Sequence, residues 1–236
     1  MKSERTTMLG FGDSILKNIV VNKTNDNYRY VVSDFDISEH LFRQMNIHVV
    51  NYGKMGCTIS IGEQIVESHL SDIKPKSIAL LEYGGNDSNY NWIDIAREPE
   101  VDHTPITPLK NFSETYKKII NEISNTGSIP IVLSLPPIDS ERCYQYLTRK
   151  MNDNQKKNVK HWLNNNISTI NYGHELYNLE TLKIAQQMLV PWIDITSIFL
   201  SHRNYTDYIC DDGLHPNAKG QELIANAIIK KLRVAV

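Results

Sequence analysis

The chain has little cysteine, no surplus of positive charge and no long hydrophobic run, and each shortage excludes something. Three cysteines, Cys57, Cys143 and Cys210, are spread over 236 residues. An odd number at wide spacing fits neither a disulfide framework nor a zinc site. Reduced thiols in a cytosolic compartment are the expectation. Lys and Arg number 25 against 27 Asp and Glu, a formal net charge of -2. That balance offers no basic face to nucleic acid or to an anionic membrane. No window is apolar for long enough to make a membrane span. The start, Met1-Lys2-Ser3-Glu4-Arg5-Thr6-Thr7, lacks the apolar stretch of a secretory signal, so the expected location is cytoplasmic. What is present is ordinary for a globular protein, 41% hydrophobic and 22% charged residues. The length suits one domain over residues 1–236.

Short apolar runs alternate with longer amphipathic stretches. Thr7–Phe11, Ile47–Asn51, Ser77–Tyr83, Ile129–Leu135 and Val190–Ile195 read as buried strands, rich in Ile, Val and Leu and bounded by Gly, Pro or Asn. Helical spacing marks Ile61–Ser71, Leu109–Ser124, Asn154–Ile170, Glu175–Leu189 and about Asn217–Leu232. Strands alternating with helices predict a parallel sheet joined by right-handed crossovers and covered on both faces, an α/β fold in three layers. The segment Ser88–Leu109, with three prolines, is the one long irregular stretch.

In open sheets of this kind ligands bind beyond the carboxyl ends of the strands, and the polar motifs fall there. The first strand runs into Gly12-Asp13-Ser14, predicted as a strand-to-helix turn with the hydroxyl above the sheet and helical amides nearby. The second ends in Asn51-Tyr52-Gly53-Lys54-Met55-Gly56, whose glycine amides are unshielded. The third ends in Gly84-Gly85-Asn86-Asp87, where the Asn amide can donate to an oxyanion. Before the last helix lies Asp212-Gly213-Leu214-His215-Pro216, with Asp212 three residues from His215, and Pro216 suited to the first helical turn. Alone, each motif passes for a turn or a helix cap. Together they supply a nucleophile, a base, its orienting carboxylate and oxyanion donors, the parts acyl transfer needs. The other seven histidines have no such setting and are expected to be structural or exposed.

The four segments, in this order across the whole chain, resemble the SGNH hydrolases, also called the GDSL lipase/esterase family. The resemblance implies a flavodoxin-like sheet of about five parallel strands in the order 2-1-3-4-5. It implies Ser14 as nucleophile, His215 as base and Asp212 as its support. Oxyanion donors would be the amides of Ser14 and of Gly56, with Gly53 the alternative to Gly56, and the Asn86 side chain. The implied reaction is hydrolysis of a small-molecule acyl ester through an acyl-serine, without metal or cofactor, on short-chain or carbohydrate O-acetyl esters. Lipid-ester or thioester hydrolysis, acyl transfer by the same triad, and a non-catalytic binding module are the alternatives. The sequence departs from many relatives after Ser14, where Ile15-Leu16-Lys17-Asn18 replaces a small or polar residue and an early glycine. Tyr90 and Trp92 are candidates to line the site.

Overall fold

A computed structural model describes residues 6–25 and 27–235, the side chains only as far as Arg233. Its main sheet contains β1 (Thr7–Gly12), β4 (His48–Asn51), β5 (Ile78–Glu82), β6 (Ile129–Leu133) and β7 (Trp192–Ile193). All are parallel and lie in the order β4-β1-β5-β6-β7. Counted along the chain within this sheet, that is the expected 2-1-3-4-5. The strands β2 (Ile19–Thr24) and β3 (Asn27–Val32) form a separate antiparallel hairpin.

Period-two alternation divides the sheet residues between two cores. Met8, Leu80, Ile131 and Leu133 face one side, under α1 (Ile37–Met45) and α9 (Ala218–Ala235). Leu9, Phe11, Leu81 and Val132 face the other, under α2 (Ile59–Ser68), α4 (Leu109–Asn125) and α7 (Thr169–Met188). The result is the three-layer sandwich that the alternating pattern predicted. A third apolar cluster lies apart from both cores. Trp92, Ile95, Tyr144, Val159 and Leu163 bring together α3 (Trp92–Arg97), α5 (Ser140–Thr148) and α6 (Asp153–Trp162). The short α8 (Thr196–Leu200) completes the helices.

Three expectations need correction. Ser14 does not open a helix. Residues 14–18 make a turn closed by Lys17 N–H to Asp13 O (3.1 Å) and Ile19 N–H to Ser14 O (2.9 Å), and the chain then enters β2. Asn18 sits at φ 63, and the alternating Ile19, Val21, Tyr28 and Tyr30 suit a hairpin. The predicted helix Asn154–Ile170 ends at Trp162, and its last two residues open α7, which runs on without a break to Met188, taking in the predicted helix from Glu175. The break between α6 and α7 falls at Asn164 and Asn165, both left-handed (φ 52 and 56), a conformation asparagine tolerates better than most side chains. Pro216 lies before the last helix and not in its first turn. It bridges to Ile209, and the cap is Asn217, whose Oδ1 accepts from Lys219 and Gly220 amides at 3.0 and 3.2 Å.

Candidate active site

Asp212 is fully buried and has a demanding place in a tight loop. Its Oδ1 accepts the amides of Leu214 and His215, both at 3.1 Å. Its Oδ2 accepts from His215 Nδ1 at 2.6 Å. The opposite ring nitrogen, Nε2, lies 2.9 Å from Ser14 Oγ. With Nδ1–H donated to the carboxylate, Nε2 is left as the acceptor facing the serine hydroxyl. Three residue types predicted from two ends of the chain thus form one hydrogen-bonded chain.

The loop owes its shape to Gly213 (φ +74). A Cβ there would overlap Cys143 N and Asp139 O at the start of α5. Its carbonyl accepts the Asp139 amide at 2.9 Å. Gly213→Ala therefore meets both a left-handed backbone and a backbone clash, costing on the order of 1–3 kcal/mol or more. The expected result is a lowered Tm together with a loss of turnover, because the displaced residues carry Asp212 and His215. An unchanged Tm and rate would contradict this account of the loop.

Asn86 projects from the loop after β5. Its Nδ2 donates to Asp13 Oδ2 at 2.7 Å and to Cys57 O at 3.2 Å. Next to it, Asp87 Oδ1 accepts the Ile59 amide at 2.9 Å, capping α2 from outside because Thr58 makes no side-chain cap. These two neighbouring residues fasten the 53–58 loop to the end of β5. Within that loop the Gly53 amide is taken by Asn51 Oδ1 at 2.8 Å. Gly56 (φ +70) is exposed, and among the described residues its amide has no hydrogen-bond partner.

Asp13, Glu82 and Asp87 are a cluster of buried carboxylates behind Ser14. Strand register sets Gly12 opposite Glu82, so Asp13 follows directly above it. Burial pushes the Glu82 carboxyl well above the usual range, and the charge of Asp13 pushes it further. Burial also raises Asp13, but hydrogen bonds from Glu82, the Ile15 amide and Asn86, with the field of His215, pull it back. Both carboxyls are raised, Glu82 the more strongly, so Glu82 keeps its proton to higher pH, while Asp13 Oδ2 accepts from the Asn86 amide.

Asp87 is pushed up to about 6 by burial, against the hydrogen bond from Ile59. Between its ordinary 3.8 and this value the folded protein holds a proton that the unfolded chain releases. The associated stability is complete below pH 3.8 and is lost as pH rises through 6. Asp87→Asn keeps an acceptor for the Ile59 amide and cannot ionise. Its stability relative to the parent should therefore grow from pH 4 to pH 7.5, by up to about 3 kcal/mol. Denaturant titrations of both proteins at the two pH values check this; a gap independent of pH would refute it.

Ser14, Asn86 and His215 all line one cavity of about 340 Å³, which extends from the triad into the third apolar cluster. Asp212 lies behind His215, and Gly56 stands outside the cavity wall on its exposed loop. Tyr90 and Trp92, singled out by sequence, line the cavity. Sequence reasoning missed Tyr30 and His174. Tyr30, on the unpredicted hairpin, sets its ring edge-on to His215 (centroids 5.7 Å) and bonds its hydroxyl to that of Tyr146. His174 is buried and lines the cavity from α7, where no spacing pattern marked it. All three cysteines are free and buried, and no helix among the described residues is long and apolar enough to cross a membrane.

No curated protein sequence matches this chain. Among solved structures, a lipase/acylhydrolase from Enterococcus faecalis is similar, with a TM-score of 0.63 at 16% identity, covering 98% of this chain and 96% of that one. A catalytic mutant of an acetylxylan esterase from Geobacillus stearothermophilus gives 0.62 at 15% identity, covering 95% and 93%. A psychrotrophic esterase from Pseudoalteromonas, inhibited by monoethylphosphonate, gives 0.57 at 14%, covering 97% of each. At these identities the likeness is one of fold. The family profile described as GDSL-like Lipase/Acylhydrolase matches residues 8–228, nearly the whole chain, so this protein belongs to that family of carboxylic ester hydrolases.

Proposed function

We propose that the protein is a serine ester hydrolase that works through an acyl-serine intermediate at Ser14. The observation that carries this reading is the continuous hydrogen-bond chain Ser14 Oγ–His215 Nε2, His215 Nδ1–Asp212 Oδ2 at the mouth of a substrate-sized cavity. Ser14 Oγ attacks the ester carbonyl as its proton passes to His215 Nε2. Buried Asp212 holds the ring and stabilises the imidazolium. The oxyanion accepts from the amides of Ser14 and Gly56 and from Asn86 Nδ2. Gly56 is preferred to Gly53 because the Gly53 amide is already spent on Asn51. His215 returns the proton to the departing alcohol, and water then repeats the cycle on acyl-Ser14.

The test is covalent. A fluorophosphonate should label the protein once, with the adduct on the peptide containing Ser14, and Ser14→Ala should not label. Consumption of an activated acetyl ester without added acceptor then identifies water as the acyl acceptor and separates hydrolysis from transfer to another hydroxyl. Folded protein that neither labels nor consumes any activated ester would leave the binding-module reading.

A further inference from the structure

We propose that the cavity beside Ser14 is an acyl chamber for a hydrocarbon chain, which makes medium-chain acyl esters, and not acetates, the preferred substrates. The inference rests on the serine-hydrolase reading above and deepens it.

Size is the first argument. A dry apolar cavity of about 150 Å³ accommodates a six-carbon benzene ring. The cavity here has about 340 Å³, room by that measure for a chain of about eight to twelve carbons. An acetyl group would leave most of it as water against apolar walls, forgoing their burial energy.

The walls are the second argument. Tyr90, Trp92 and Trp162 meet edge-to-face, with centroids 5.1 to 6.2 Å apart. Mutual packing of this kind preforms a rigid apolar end to the chamber. Leu147 from α5 and Leu163 after α6 extend it.

Some polar groups of the wall are, thirdly, already engaged. Asn89 Oδ1 accepts from Trp92 Nε1 at 2.7 Å and from the Tyr90 amide at 2.9 Å. Ser88 Oγ donates to Gly85 O at 3.1 Å. Thr169 Oγ1 donates to Leu163 O at 3.5 Å. His174 Nδ1, also on the wall, is buried without a hydrogen-bond partner among the described residues. A sugar in this space would lose water at several hydroxyls and find Ser88, Asn89 Oδ1 and Thr169 already taken, whereas a hydrocarbon chain loses none.

Chain-length profiles test it. With p-nitrophenyl esters from acetate to palmitate, each buried methylene should raise kcat/KM by about fourfold until the chamber fills. Octanoate should exceed acetate by at least about 100-fold. Acetates of alcohols of increasing length should show no such rise. Gly173 supplies a fold-safe variant. It lies in α7 on the chamber wall, a Cβ there meets nothing within 4 Å, and leucine is the better helix former. Gly173→Leu should shift the optimum to shorter chains and cut the octanoate-to-acetate ratio at least about tenfold.

Acetate turned over as well as octanoate, with Ser14 labelling intact, overturns the chamber and leaves the hydrolase reading standing. So does a rise in the alcohol series in place of the acyl series, or a ratio that Gly173→Leu leaves unchanged. Folded protein with no labelling and no ester consumed removes the hydrolase reading, and the chamber's substrate assignment falls with it.

Discussion

Replacing Ser14 by Ala should lower kcat for an activated ester by roughly a millionfold, and replacing His215 by Ala should cost nearly as much. The double variant should be no slower than either single one. In the proposed mechanism the two groups act as a unit: Oγ is a weak nucleophile until Nε2, 2.9 Å away, removes its proton. Once either is missing the other has nothing to do. Asp212→Asn is a milder lesion of the same unit. The amide can donate to Nδ1 where the carboxylate accepted, which favours the wrong tautomer, and turnover should fall by about ten-thousandfold. Steady-state kinetics on the four variants, with circular dichroism to confirm folding, checks all of this. Losses from Ser14 and His215 that multiply in the double variant would mean that the two groups contribute independently.

How far the sequence carried the reading depends on whether a feature is local. The five sheet strands were legible because each is a short apolar run between turn residues, even though the edge strand β4 is only half-buried. The candidate site motifs were visible for the same reason, since each is a contiguous segment, three at strand ends and one in the loop before α9. The hairpin after Ser14 was not. Gly-Asp-Ser before Ile15 and Leu16 reads equally well as a strand entering a helix, and the choice is made by contacts far away. One of these is the Val21 amide on Cys210 Sγ at 3.3 Å. The break between α6 and α7 had a local signal in Asn164-Asn165-Asn166, but the apolar spacing runs across it and masked the turn. Of the cavity walls beyond those motifs, only Tyr90 and Trp92 were picked out from sequence, because most of the rest comes from α5, α6 and α7, which only tertiary packing brings together. Glu82 offered a partial clue. A carboxylate at the end of an otherwise apolar buried strand needs a reason, and here it accepts from the amide of Asp13, just past the end of β1.

That pairing bears on Asn86, whose replacement by Ala should lower kcat by about 100- to 1,000-fold with a much smaller change in KM. An oxyanion donor acts on charge that appears only as the carbonyl carbon becomes tetrahedral, so its loss is felt in the transition state more than in binding. Both hydrogens of Asn86 Nδ2 are engaged, one on Asp13 at 2.7 Å and one on Cys57 O at 3.2 Å. The shorter, charge-assisted bond fixes the amide. The longer one to a neutral carbonyl is the bond an oxyanion would draw off, and the exchange costs little because one acceptor replaces another. Glu82 keeps the anchor in place by accepting the Asp13 amide, and Asp13 accepts on both of its carboxyl oxygens. Glu82→Gln, neutral and nearly isosteric, keeps an acceptor for the Asp13 amide and should retain most of the turnover. Glu82→Leu withdraws that acceptor and should lower kcat in the same sense as Asn86→Ala, though by less. Turnover in Glu82→Leu equal to that in Glu82→Gln, with both folded, would show that Asp13 holds Asn86 without help from beneath. An unaltered kcat in Asn86→Ala would remove Asn86 from the oxyanion site altogether.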